Sequence, residues 1–190
     1  YEADGMGSGF ITIHTNHLDK WGVTEDELLE IAMDNTKAQY PGKHYSMEDM
    51  LRSIVEKDVR KDLYNQIEEV EAHEEEWIAF TVSQIMKGLL GDKKRSPMYV
   101  MTNENKAWGA ISMLWQDSLQ KLADEVESDL LILPSSVHEI ILLPVGEEQY
   151  SNDYLQDMVR DINRDHVEPE EVLSDHIYRY LRASGTTILQ

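Results

Sequence analysis

Ser135, Ser136, His138 and Glu139 crowd into one short stretch, Pro134-Ser-Ser-Val-His-Glu139, where two hydroxyls, an imidazole and a carboxylate are forced together. Asp175 and His176 supply a second carboxylate and imidazole from the C-terminal segment. Nucleophilic catalysis needs a hydroxyl within hydrogen-bond reach of a base, and a third group that orients the base. In that scheme Ser135 or Ser136 is the nucleophile, His138 or His176 the base, and Asp175 or Glu139 the orienting carboxylate. The Gly-x-Ser-x-Gly elbow is missing from the chain, and Pro-Ser-Ser is ordinary turn chemistry. A structural turn is the simpler reading of the same residues.

Imidazole with carboxylate also suits zinc, manganese or iron. His138 and Glu139 are adjacent, however, and adjacent strand residues point to opposite faces, so they share an ion only from within a turn. His14 and His17 form a second sparse pair. In His73-Glu-Glu-Glu-Trp77 a tryptophan stands where the helical zinc-protease pattern needs its second histidine. Neither a metal site nor a cofactor is expected.

The elements that must position this stretch are the apolar runs on either side of it, Leu130-Leu-Ile-Leu133 and Ile140-Ile-Leu-Leu143. Each has the length of a strand and is too short for a buried helix. They read as neighbouring antiparallel strands at the centre of a sheet. Being apolar on consecutive residues, they are expected to be covered on both faces and to lie deepest in the fold.

Composition narrows the functions. A chain of 190 residues is enough for one substantial domain, and no apolar run approaches the roughly 20 residues that span a bilayer. With 17 basic against 37 acidic residues, the net charge of −20 opposes direct binding to nucleic acid or anionic lipid. An acidic surface of this kind reads first as a means of keeping the chain in solution, and second as a match for a basic protein partner, a bound cation or mimicry of nucleic acid. The absence of cysteine excludes disulfides and thiolate chemistry and fits the cytoplasm. A first residue of Tyr1 suggests the C-terminal part of a longer protein.

Along the chain, Gly5-Met-Gly-Ser-Gly9 precedes Phe10-Ile-Thr-Ile-His14, which alternates like a strand; the glycines therefore do not form a dinucleotide loop, which follows a strand and opens a helix. Thr24 and Glu27 make a capping box for a helix over 25–37, with Leu28, Ile31, Ala32 and Met33 as its buried stripe. Ser46 caps a second helix. Residues 56–76 hold three basic residues against nine acidic ones, yet Leu63, Ile67 and Val70 keep helical spacing, predicting an amphipathic helix that continues toward Gly88 or Gly91. This acidic excursion, about 47–91, ends in a basic linker over 92–97. Its carboxylates Glu68, Glu69, Glu71, Glu74, Glu75 and Glu76 are the candidate interaction residues.

Residues 98–102 read as a strand, 103–106 as a turn and 108–112 as a returning strand. Trp115, Leu119, Leu122 and Val126 form the clearest helical stripe. Trp108 and Trp115 read as core or as an apolar recognition patch. Ser151 caps a helix carrying Leu155, Met158, Val159 and Ile162; a one-turn helix over 168–173 and strands over 174–180 and 186–189 complete the chain. The order predicts a single α+β domain over 1–190: a mostly antiparallel sheet of four to six strands covered by helices, with the acidic helical excursion between two strand groups.

Met98-Tyr-Val-Met-Thr-Asn103, Trp108-Gly-Ala110, Asp129-Leu-Leu-Ile-Leu-Pro-Ser-Ser-Val-His-Glu139 with Ile-Ile-Leu-Leu-Pro144, and Glu168-Pro-Glu-Glu-Val-Leu-Ser-Asp-His-Ile-Tyr178 resemble a family of bacterial proteins known only as a domain of unknown function. Val23-Thr-Glu-Asp-Glu-Leu28 is similar too. The resemblance covers most of the chain and is least familiar over 56–94. It implies a domain within a longer protein and assigns no reaction, ligand or catalytic residue.

The reading that follows is a non-enzymatic cytoplasmic interaction module, meeting its partner through the acidic excursion or the polar rim at 134–139. The alternatives are a hydrolase using the Ser/His/Asp set and, more remotely, an acidic mimic of nucleic acid.

Overall fold

A computed structural model describes residues 11–64, 72–91, 97–134, 136–146 and 150–190. The chain divides into two compact units, Tyr1–Gln39 and Tyr40–Gln190. No helix among the described residues is long and apolar enough to cross a membrane.

In the first unit, helices α1 (Thr15–Trp21) and α2 (Glu25–Gln39) are joined by Gly22, whose φ of 67° supplies the left-handed cap that ends α1. The expected strand at 10–14 is absent from the described part, residues 11–14. There the His14 amide donates to His17 Nδ1 at 2.9 Å and opens a helix instead. The capping box of α2 forms as read: the Glu27 amide donates to Thr24 Oγ1 at 3.2 Å, and the Thr24 amide donates to Glu27 Oε2 at 2.8 Å. Its apolar stripe does not behave as a core stripe. No residue of α2 is buried, and Leu29 and Ile31 are exposed.

The second unit holds a six-stranded sheet, every neighbouring pair antiparallel, in the order β1-β2-β4-β3-β5-β6. The strands are β1 (Lys43–Ser46), β2 (Tyr99–Thr102), β3 (Leu130–Leu133), β4 (Ile140–Pro144), β5 (Tyr178–Leu181) and β6 (Thr186–Leu189). The fold is α+β. As the two apolar runs require, β3 and β4 pair at the centre, and successive residues point into different cores. Leu130, Ile132, Ile140 and Leu142 pack with Met101 and Tyr180 beneath helix α5 (Gln116–Glu125). Leu131, Leu133 and Leu143 pack with Ile177 beneath helix α6 (Asn152–His166). The stripes read from spacing bury Leu119 and Leu122 in α5, and Leu155 and Val159 in α6, whereas Ile162, read as part of the α6 stripe, is exposed.

Four local expectations are corrected. Residues 56–90 are not one helix: α3 (Met47–Tyr64) and α4 (Ala72–Leu90) lie antiparallel around a separate core of Val59, Ile78, Val82 and Met86. Ser46 caps α3 through its hydroxyl, which accepts from the Asp49 amide at 3.0 Å, but it also ends the short strand β1. The returning strand at 108–112 is instead a 3-10 helix, Gly109–Leu114, because the amides of Gly109 and Ala110 donate to the carbonyls of His138 and Val137 rather than to β2. Residues 168–173 make a turn closed by the Glu171 amide on the Glu168 carbonyl, and the strand expected from 174 begins only at Tyr178.

Candidate functional site

The β3–β4 connection is described except at Ser135, which lies outside the described residues. Ser136 sits at its base. The Ser136 amide donates to the Glu139 carbonyl at 3.2 Å, closing the turn. The Ser136 hydroxyl donates to Glu139 Oε1 at 3.0 Å and accepts from the His138 amide at 3.0 Å. The hydroxyl proton therefore faces a carboxylate and not an imidazole, and the group is buried.

His138 is held from three directions. Its carbonyl accepts from Thr102 Oγ1 at 2.8 Å and from the Gly109 amide at 3.0 Å, which joins the connection to the end of β2 and to the 3-10 helix. Its ring lies 5.3 Å from the Trp108 indole, centre to centre. The Trp108 amide donates to Nδ1 at 3.1 Å, and an amide is only a donor, so Nδ1 is the accepting nitrogen. The ring proton then resides on Nε2, which donates to Glu171 Oε1 at 3.2 Å. The Val137 amide adds a bond to the Glu171 carbonyl at 2.9 Å.

A general base must turn a bare ring nitrogen toward the hydroxyl it deprotonates. In His138 that nitrogen is taken by a backbone amide. Among the described residues, the other members of the expected relay make bonds of their own. Asp175 Oδ1 accepts from Asn163 Nδ2 of α6 at 2.8 Å, and His176 Nδ1 faces Gln156 Nε2 of the same helix at 3.3 Å. Asp175 and His176 thus tie the segment before β5 to α6, while Ser136, His138 and Glu139 form a clasp with Thr102, Gly109 and Glu171. Sequence reasoning missed those last three as partners. Truncating the ring tests the strength of the clasp: His138→Ala is expected to lower unfolding free energy by about 1 kcal/mol, because it removes two solvent-accessible hydrogen bonds and leaves the backbone clasp intact. Urea melts provide the check.

No group of three or more His, Asp or Glu residues placed to hold a metal occurs among the described residues. His17 Nδ1 is engaged in capping α1, and its ring stacks on Trp21 at 5.5 Å.

Of the acidic interaction residues, Glu68, Glu69 and Glu71 lie outside the described residues, as does the side chain of Glu74. Glu75 is committed within the hairpin. Arg60 donates from both terminal nitrogens to Glu75, each at 2.8 Å, and from Nε to Glu56 at 2.9 Å. These bonds hold the Glu75 carboxyl below its ordinary value. Glu76 is exposed. One turn along from it, α4 presents Phe80, 63% exposed, next to Trp77, 51% exposed, on the side away from the buried Ile78, Val82 and Met86. The two tryptophans read as core or as a recognition patch divide: Trp115 is buried, and Trp108 is half exposed beside His138.

The geometry defines an antiparallel α+β domain whose most chemically suggestive turn is a hydrogen-bonded clasp. The chain belongs to DUF5688, a family of unknown function, whose model matches residues 1–182. Neither a curated protein nor a solved structure matches it.

Proposed function

We propose that the protein is a non-enzymatic interaction module that meets a basic protein partner across the outer face of α4. The observation that carries this reading is the exposed Trp77–Phe80 pair. α4 already buries Ile78, Val82 and Met86 against α3, so its own packing does not account for two large aromatics on the opposite side. Aromatic side chains in a polar surround are typical binding anchors. Glu76 beside them and the net charge of −20 select a basic partner. The cysteine-free chain fits a cytoplasmic setting.

Capture from an extract of the native host tests the proposal. The wild-type chain is expected to retain a basic protein that is lost both with Phe80→Ser and when Glu68, Glu69, Glu71, Glu74, Glu75 and Glu76 are changed to Gln. Retention of every partner by both variants contradicts the reading. So does turnover of an ester, phosphoester or peptide substrate that disappears with Ser136→Ala or His138→Ala. The capture is interpretable because Phe80 is exposed and lies outside the α3–α4 core. The melt of Phe80→Ser is expected to match wild type within about 0.5 kcal/mol, whereas Ile78→Ala, at 2% exposure, costs about 2–4 kcal/mol.

A further inference from the structure

The open end of the α3–α4 hairpin encloses a concavity about two helical turns along α4 from Phe80. It lies between the first turns of α3, the last turns of α4 and the chain entering β2, and has a volume of about 640 Å³. That is the size range of small-molecule sites. Met47, Leu51, Met86, Leu90 and Met98 supply its apolar walls. Three of these are methionines, whose unbranched thioether side chains adapt to the shape of a flexible occupant.

Arg52 and Lys87 also line the pocket, with Glu48 beside them. Arg52 meets Glu48 at 3.6 Å, one helical turn away, and both side chains are exposed, so the pair is weak and exchangeable. Lys87 forms no ion pair with a carboxylate among the described residues. Two cations beside an apolar pocket stand out on a chain of net charge −20. The α3 N-terminus does not compete for an anion with its first amides, since Met47 N donates to the Met98 carbonyl at 2.7 Å and Asp49 N to Ser46 Oγ at 3.0 Å.

We infer that this pocket binds a long-chain carboxylate of the fatty-acid type, its alkyl chain among the methionines and leucines and its carboxylate between Arg52 and Lys87. A peptide ending in an apolar residue carries the same charge. It would also bring backbone amides and carbonyls against the Met and Leu side chains of the wall, where unpaired polar groups are costly, with Ser83 and Tyr99 as neighbouring polar side chains. An acyl chain has no polar group beyond its head.

The test is titration of the full chain with dansylaminoundecanoic acid, followed by competition with laurate, dodecanol and an apolar C-terminal peptide. Saturable one-to-one binding is expected, with laurate displacing the probe and dodecanol and the peptide each at least about tenfold weaker. The double variant Arg52→Gln/Lys87→Gln changes two exposed residues. It is expected to weaken laurate about tenfold and to remove the preference over dodecanol. Met98→Trp, verified as folded by its melt, should block the probe by filling the pocket. Absence of saturable binding overturns the inference. Equal displacement by dodecanol, tighter binding of the peptide, or an affinity unchanged in Arg52→Gln/Lys87→Gln overturns it as well. Phe80→Ser leaves probe binding unchanged, which separates this site from the Trp77–Phe80 pair.

Discussion

Gly109→Ala is expected to destabilise the protein by about 3 kcal/mol, a large share of the roughly 5–15 kcal/mol that holds a typical domain folded. The cause is space. A Cβ on Gly109 would lie 2.6 Å from the Asn103 amide nitrogen, 2.8 Å from the His138 carbonyl oxygen, and against Thr102 Oγ1. Two of those neighbours are backbone atoms, and the third is the hydroxyl that bonds the His138 carbonyl. None can retreat without opening the clasp, in which Gly109 itself donates to His138. For a unit of this size the loss corresponds to a fall in Tm of about 6–12 °C. Gly88→Ala, near the end of α4, is the matched control. A Cβ there meets nothing within 4 Å, and the better helix propensity of alanine should stabilise by about 0.5–1 kcal/mol. Urea midpoints that fall for Gly109→Ala and rise for Gly88→Ala are the expected result, and equal shifts would mean that the close approach carries no energy.

Asp129→Asn is expected to cost about 2–3 kcal/mol at neutral pH, because the carboxylate that opens β3 organises the end of β5. Asp129 Oδ2 accepts from Arg179 Nε at 3.0 Å and from a terminal nitrogen of Arg179 at 2.7 Å, while Oδ1 accepts from the Arg182 amide at 2.9 Å. The Arg182 amide is the largest influence holding the Asp129 carboxyl below its ordinary value; the Arg179 guanidinium adds to it, and burial opposes both. A folded-state value below the unfolded one gives stability that is complete above the unfolded pKa, about 3.9, and is lost as pH falls through the folded value. Wild type and Asp129→Asn should therefore differ most at pH 7 and converge below about pH 4. A difference that stays constant from pH 7 to pH 3 would assign the effect to something other than the charge.

The parts of this fold legible in the sequence are those whose signal is local. Consecutive apolar residues in β3 and β4 announce two covered faces, and the spacing of Trp115, Leu119 and Leu122 announces α5. Strand β1 carries Lys-His-Tyr-Ser, too short and polar to show alternation, and becomes a strand only because β2 offers an edge. Trp-Gly-Ala-Ile-Ser has strand-like residues but bends into a 3-10 helix, since its amides find acceptors in a connection some 30 residues away. The break between α3 and α4 was hidden by apolar residues that keep helical spacing through the charged run. The same continuity concealed that Trp77 and Phe80 face outward.

The candidate site divides similarly. That the chain turns between β3 and β4, where the Ser136 amide closes on the Glu139 carbonyl, was readable from Pro-Ser-Ser. That His138 is locked was not, because its partners Thr102, Trp108 and Glu171 lie 36, 30 and 33 residues away. Four of the stretches that carry the resemblance meet at this clasp: the one containing Thr102, Trp108-Gly-Ala110, the one ending in His138-Glu139, and the one opening with Glu168. Their shared role in the described fold is to hold the sheet, the 3-10 helix and the 168–171 turn together.

The outer face of α4 is the claim on which the functional reading stands, and a photo-crosslink from its centre tests it most directly. Benzoylphenylalanine placed at position 80 in the native host should yield one dominant adduct to a basic protein. The adduct should disappear when the six glutamates at 68, 69, 71, 74, 75 and 76 are neutralised. An adduct to an acidic protein, an adduct only between copies of this chain, or a yield no higher than that of the same probe at Ser184, on the β5–β6 turn, would contradict the account.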